Sequence, residues 1–577
     1  MTTGHLVAHE KISGYNRTFG KLSQEPIAMP THQVNLDALI RREDFEARTD
    51  EVPQSRRLAD LIKIEDLERT YFHLLRKPDF QRETSSWDEE RVVDFVKSFL
   101  DGDLIPAVIM WWSNLNGTVF VIDGAHRISA LMAWVHDDFG DGKISNEYWG
   151  FSVSAEQSRL AKHTRELLEK EVGSYQRLKF IAQNPDSAPS EMLRRARNMA
   201  TFKIDLQWVE GNAATAEKSF FKINGSASEI DPTELGILKA RRKPNAIATR
   251  ALMNCGTGHK YWSDFPSQTK KEIEGIAKEI YESLFKPILE SPIKTLDLPI
   301  AGKAYSADAF KMIFDLVNLV NGVTPGMWQE PTRGKRKAAV GTKALEDDND
   351  GAMTMNYLKA VRKAASLISG SYPGSLGLHP MVYFYGPTGR FQPTAFLATV
   401  KFVMDLKERD QFKSFTKARA AFEDYLIEHR NFVSAIGHGY GSRTRPIEAL
   451  LTMFRAILSK IQDGETDHNK ITQSLLENTQ LHVLKSAAEK SMLGTTRKRL
   501  SKDEKSEAFL RDAADSPVRC QICGAKLHVN SISHDHIIRV QDGGLGTAEN
   551  TQATHPYCNT GFKESEVSKK RASEPRS

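Results

Sequence analysis

Residues 520–563 read CQICGAKLHVNSISHDHIIRVQDGGLGTAENTQATHPYCNTGFK, and this stretch decides how the carboxyl-terminal end folds. CQIC at Cys520–Cys523 is answered by HPYC at His555–Cys558, two half-sites that together offer three thiols and one imidazole. That ligand number and softness suit tetrahedral Zn²⁺ in a closed structural site. A segment this short buries too little apolar surface to hold itself together. Zinc can supply on the order of 10–16 kcal/mol to the folding of such a unit. The residues alone leave open a zinc knuckle that binds DNA without cutting it.

The text between the half-sites is more specific. It contains Asp535-His536-Ile537-Ile538, Asp542-Gly543-Gly544 and Asn550, and Asn559 follows Cys558 directly. This order, CxxC…DHI…GG…N…CxxCN, resembles the HNH (ββα-metal) endonuclease family in its form with two zinc half-sites. The resemblance implies His536 as general base, Asp535 and Asn559 as holders of one divalent cation (Mg²⁺ or Mn²⁺), and Asn550 as a brace for the loop and the histidine. Those residue types suit the chemistry. In-line attack on a phosphodiester needs a proton acceptor, and a hard cation on oxygen ligands can stabilise the departing oxygen. Asp535 and His536 are adjacent, so strand alternation turns them to opposite faces unless a bulge or a strand end intervenes. His534 stands beside them as a further imidazole. Lys563 comes one residue later than the family's CNxxK spacing.

Working toward the amino terminus, Asp123-Gly124-Ala125-His126-Arg127 follows two strand-like runs, Ile105–Trp112 and Thr118–Ile122, and opens a helix. Asn114-Leu115-Asn116-Gly117 makes a hairpin turn between the runs. Before them, Trp87, Val92, Phe95, Val96 and Phe99 fall at helical spacing, with Ser86 as the expected start and Gly102 as the stop. Gly124 permits a tight turn, amides at a helix start suit an anion, and Arg127 can fork onto phosphate. Phe80-Gln81-Arg82, Trp87, VIDGAHRISAL and Phe220-Phe221-Lys222-Ile223-Asn224 resemble, in this order, the ParB-like fold, nearest the GmrSD and SspE branch of restriction proteins. That branch usually reads DGQQR where this chain has DGAHR. The resemblance implies a nucleoside triphosphate (GTP, ATP or CTP) at Asp123, Gly124, His126, Arg127 and Arg82. His126 reads equally as a packed histidine.

The chain has 577 residues, with 79 Lys+Arg against 74 Asp+Glu, a net charge of +5. Such a balance excludes a basic coat protein and assigns any nucleic-acid contact to local patches. The longest apolar stretch, Leu104 to Trp112, is far short of the ~20 residues of a membrane span. Three of four cysteines cluster near the carboxyl terminus, which favours metal over disulfides and a reducing, cytoplasmic setting. Cys255 reads as an ordinary thiol. Between about Ile230 and Leu500 the pattern is helical, for example KKEIEGIAKEIYESLF and IEALLTMFRAILSKI. A charged loop, Arg333 to Asp350, and the basic Gly437–Arg445 stretch interrupt it. Gly386–Arg390 (GPTGR) reads as a plain turn.

The expected architecture is multidomain α+β: an arm (1–57), a ParB-like α/β nucleotide-binding domain (58–240), a helical domain (241–496), a linker (497–517), a zinc-stapled ββα HNH module (518–565) and a disordered tail (566–577). The expected function is a metal-dependent DNA endonuclease, nicking or cutting, controlled by a nucleotide-binding or NTP-hydrolysing amino-terminal domain in antiphage defence. Expected partners are double-stranded DNA, modified DNA included, and a nucleoside triphosphate, with no membrane; homo-oligomerisation stays open. The alternative is a nucleotide-gated DNA-binding regulator with an inactive HNH scaffold.

Overall fold

Val119–Asp123 (β5) is an apolar run buried almost throughout, as suits a strand covered on both faces. In the computed structural model it lies inside a mixed six-stranded sheet. The structure describes residues 33–45, 59–81, 84, 87–113, 117–150, 153–227, 232–304, 307–324, 344–440, 444–485 and 500–566. The other strands are β1 (Arg41–Glu43), β2 (Leu61–Lys63), β3 (Leu75–Pro78), β4 (Val108–Trp112) and β6 (Lys203–Trp208), in the order β1-β3-β5-β4-β6-β2. β4 and β5 form the expected antiparallel pair, while β3 and β5, and β4 and β6, run parallel. A register shift at Ile109/Met110 sets Ile109 opposite Asp123 and Met110 opposite Val121. Most of the turn, 114–116, lies outside the described residues.

Helix α1 (Glu89–Asp101) buries Val92, Val93, Val96, Phe99 and Leu100 against this sheet. Its cap is Asp88, whose carboxylate accepts from the Arg91 amide at 2.8 Å, and Gly102 ends it at φ +89°. The expected start, Ser86, lies outside the described residues. Helix α2 (Ala125–His136) follows β5 through Gly124. Residues 33–45, expected as part of an irregular arm, instead supply β1 and bury Val34, Leu36, Leu39, Ile40 and Phe45. Their polar letters include Asp37 and Arg42, which form a buried ion pair at 3.1 Å; Lys77 joins them, so charge inside the fold masked a core segment.

Helix α3 (Ala213–Ala227) carries Phe220, buried against Phe80. From Ile237 onward a second, larger core begins, built by α4 (Pro244–Met253), α5 (Ser267–Phe285), α6 (Ala307–Val320), α7 (Ala352–Ile368), α8 (Pro393–Glu408), α9 (Phe412–Glu428) and α10 (Thr444–Gln462). Phe402, Phe415, Phe422 and Phe454 interlock at its centre. The acidic end of the expected charged loop is fixed. Asp348 accepts from the amides of Gly351 (3.0 Å) and Thr354 (2.7 Å) and so caps α7. Gly386–Arg390 is a tight turn closed by the Gly386 amide on the Arg390 carbonyl, 2.9 Å. The stretch expected as a linker contains α11 (Lys502–Asp512), started by a Ser501/Glu504 capping box and anchored through buried Leu510. The Arg333–Lys337 segment, Gly441 to Arg443, the basic Arg497–Arg499 cluster and residues 567–577 lie outside the described residues.

Candidate functional site

The carboxyl-terminal module is a two-stranded hairpin, β7 (Ser533–His536) and β8 (Thr551–Thr554), with a helix over residues 556–566 against it. Beneath lie Cys520, Cys523, His555 and Cys558, whose ligand atoms all fall within 4.8 Å of one another. His555 Nδ1 stands 3.4 Å from Cys523 Sγ and 3.8 Å from Cys558 Sγ. With Zn–S bonds of ~2.3 Å, ligands around one tetrahedral ion sit roughly 3.8 Å apart, so this cluster fits zinc without rearrangement. The other imidazole nitrogen, Nε2, bonds the Lys526 carbonyl at 3.1 Å, which turns Nδ1 toward the sulfurs. Hydrogen bonds from Cys523 and Cys558 push the Cys520 thiol down, while the bond to Cys520 pushes Cys523 up to about 11 and Cys558 higher still. Three crowded thiols hold one thiolate readily and resist a second; a bound dication would lift that restriction.

The module is clamped to the helical domain. Arg419 and Glu423, both fully buried on α9, pair at 2.7 Å. Arg419 also donates to the carbonyls of Leu376 and Gly377, and Glu423 accepts the Lys526 amide at 3.0 Å. The Tyr557 amide bonds the Ser375 carbonyl at 3.0 Å, and a Cβ on Gly377 would stand 2.9 Å from the His555 ring. No letter in the sequence marked Arg419 or Glu423, because KARAAFED reads as an ordinary charged helix face.

On top of this bed, β7 pairs with β8 in unbroken register from Ser533↔Thr554 to His536↔Thr551, so strand alternation holds and His536 sits at the strand end. Ser533 and Asp535 face the helix. The Asn559 amide nitrogen donates to Ser533 Oγ (2.9 Å) and the His534 carbonyl (3.2 Å), so of its two amide atoms the oxygen is the one these bonds leave available to a cation. Asp535 accepts from Gln552 Nε2 at 2.8 Å and from Lys563 Nζ on both oxygens, 3.0 and 2.8 Å. Lys563 also bonds the His536 carbonyl. An ammonium thus sits where carboxylate and carbonyl oxygens converge, a donor set that suits a hard cation. The additional residue before Lys563 is absorbed by a π-helical segment, Cys558–Phe562, in which the Lys563 amide reaches back five residues to the Cys558 carbonyl. Asn550 ties the loop that follows His536: its side chain accepts the Ile538 amide (2.7 Å) and donates to the carbonyls of Ile538 (3.0 Å) and Leu545 (2.8 Å).

In the amino-terminal domain, Gly124 adopts φ +93°, and a Cβ there would stand 3.0 Å from both Arg127 Nη2 and Val108. Arg127 pairs with Asp123 at 2.8 Å and donates to the Pro106 carbonyl at 2.6 Å. The His126 ring stacks on Trp87, centroids 5.6 Å apart. Asp123, Gly124, His126 and Arg127 therefore share one turn; Arg82 lies outside the described residues, as does the Asn224 side chain.

A small metal-ligating nuclease module on a helical body, preceded by an α/β domain, is the class these features define. Residues 58–298 match the family described as GmrSD restriction endonuclease, N-terminal domain, and residues 520–563 match HNH endonuclease. The chain joins a GmrSD-type amino-terminal domain to a carboxyl-terminal HNH endonuclease domain, a combination that supports a nuclease in restriction or defence, with DNA as the implied substrate. No curated protein and no solved structure matches the chain. Among the described residues, no helix is long and apolar enough to cross a membrane.

Proposed function

We propose that the chain is a metal-dependent DNA endonuclease of antiphage defence in which His536 takes the proton from the attacking water. One observation carries the reading. Asp535 faces the helix that carries Asn559, and His536 follows it at the end of β7, so the candidate proton acceptor and cation ligands come from one short stretch of hairpin and helix. Asp535 and the Asn559 oxygen would hold Mg²⁺ or Mn²⁺, which when bound supplies charge stabilisation to the phosphate and the leaving oxygen. His536 accepts and later releases a proton. Asn550 holds the 537–549 loop in shape beside it. Zn²⁺ on Cys520, Cys523, His555 and Cys558 has a structural role. Lys563, now paired with Asp535, would be free to neutralise substrate phosphate once a cation takes its place.

The domain assignment that goes with this reading is an α/β sensor to about residue 240, a helical body and the HNH module. A nucleoside triphosphate would bind at Asp123–Arg127, supported by the left-handed Gly124 and the amides opening α2. The test is cleavage of plasmid and phage DNA, plain and modified, with Mg²⁺ or Mn²⁺ and with or without each nucleotide. Parent-like cutting by His536→Ala overturns the catalytic assignment. Nucleotide binding unchanged in Asp123→Ala/Arg127→Ala overturns the nucleotide site.

A further inference from the structure

Helix α9 ends at Glu428, and two imidazoles meet there: His429, which caps the helix, and His468, the first residue of the helix His468–Glu477. One ligand atom from each of Glu428, His429 and His468 lies within 4.8 Å of the other two. Glu428 is exposed and both histidines are half-buried, so the cluster sits at the surface with its imidazoles partly sheltered. None of the three belongs to the zinc cluster, the nuclease edge or the Asp123–Arg127 turn.

The neighbouring bonds set the ring nitrogens. His429 Nδ1 lies 3.2 Å from the Tyr425 carbonyl, which can only accept, so this nitrogen carries the hydrogen and Nε2 of the neutral ring holds a lone pair. Tyr425 stacks on His429 with centroids 4.2 Å apart and meets His468 edge-on at 5.2 Å, so one aromatic ring orients both imidazoles. The Thr472 hydroxyl stands 3.1 Å from His429 Nε2 and 2.8 Å from Tyr425 Oη. Either oxygen of the Thr472–Tyr425 pair can donate, so Thr472 can yield Nε2 and stay paired. His468 Nδ1 and the Glu428 carboxylate share a hydrogen, which a dication would replace while the ring keeps its hydrogen on Nε2. Donors around one tetrahedral ion at ~2.0–2.1 Å stand roughly 3.3 Å apart, so a swing of the exposed Glu428 side chain closes this set around an ion. Two imidazoles and one carboxylate select a transition metal such as Zn²⁺ or Ni²⁺ over Mg²⁺, which prefers oxygen throughout.

We propose that Glu428, His429 and His468 form a second metal site, which ties the end of α9 to the helix His468–Glu477 and leaves the outer side of the ion to water. α9 also carries Arg419 and Glu423, so the ion steadies the carboxyl-terminal end of the helix on which the nuclease module rests. The probe is Ni²⁺, titrated by calorimetry into the untagged, zinc-loaded full chain carrying Asp535→Asn, in which the nuclease edge has lost its carboxylate. One equivalent should bind saturably and raise the thermal midpoint. Adding Glu428→Gln or His468→Gln should weaken binding by about tenfold or more and abolish that rise. Both side chains reach the surface, so equal midpoints without Ni²⁺ are expected. Zinc content, followed by elemental analysis, should stay at one per chain throughout. The proposal is overturned by absence of saturable Ni²⁺ binding, by parent-like affinity in either added variant, or by zinc lost in step with Ni²⁺ uptake, which would mark exchange at the cysteine cluster. The catalytic assignment stands or falls separately, on DNA cleavage by His536→Ala.

Discussion

Replacing Arg419 with methionine should loosen the nuclease module without touching a residue that faces DNA. The guanidinium is buried, pairs with Glu423 at 2.7 Å and donates to the carbonyls of Leu376 and Gly377. Methionine fills similar space but leaves Glu423 charged in the interior and two carbonyls without donors. Removing one member of a buried pair costs about 3–5 kcal/mol, because the remaining charge is uncompensated. With a denaturant slope of about 2 kcal/mol/M, the urea midpoint for this region should fall by roughly 2 M. Zinc release to a chromogenic chelator during a urea titration reads that midpoint, since the Glu423 carboxylate that Arg419 neutralises accepts the Lys526 amide, and the Lys526 carbonyl accepts from His555. The comparison is Arg519→Ala. That side chain meets Asp424 at 2.9 Å across the same junction, but both partners are well exposed and the pair is worth at most about 1 kcal/mol. Equal, small shifts in the two variants would refute the claim that a buried ion pair clamps the module.

Further outcomes follow from the same geometry. His536→Ala should lower the DNA cleavage rate by about 10²–10⁴, with zinc content unchanged by elemental analysis. A strong chelator, or Cys520→Ser, should expose residues 518–566 to protease; protection that persists after metal removal contradicts the structural zinc. Asn550→Ala removes three hydrogen bonds that hold the 537–549 loop, so cleavage should fall while the thermal midpoint of the helical body stays put. Burial pushes His528 down to about 4 against the pull of Asp297, and His379 beside it is also held well below its ordinary value. Between pH ~6.5 and 4 the unfolded chain binds the additional proton, so stability falls as the solution is acidified, by about 3 kcal/mol for His528. Urea titrations from pH 7.5 to 4.5 should show this slope, and His528→Gln should flatten it; an unchanged slope in the variant removes His528 as its origin.

How much of this was legible beforehand depends on where each constraint lives. Local constraints could be read directly. Gly102 and Gly124 take the left-handed conformations that their turns require, and the apolar spacing of 92–100 is the buried face of α1. Spacing of Cys520, Cys523, His555 and Cys558 was enough to foresee one cluster, because a metal site is written in its ligands. Long-range constraints left no such trace. Residues 33–45 looked like an arm because their charges, Asp37 and Arg42, pair with each other inside the fold, where Asp37 also meets Lys77, rather than facing water. The 497–517 stretch looked like a linker because α11 is polar on most of its surface and is held through Leu510 and through Ser506, which accepts the Ile293 amide at 3.0 Å. The offset of Lys563 shows the limit most clearly. Counted along the chain, it misses its family position by one residue. Counted along a helix that widens to five-residue hydrogen bonding at Cys558, it returns to Asp535. Sequence spacing is a reliable ruler only while the helix keeps its pitch, and this wider turn carries Thr560, whose hydroxyl bonds the Pro373 carbonyl almost two hundred positions away, a contact no local spacing records.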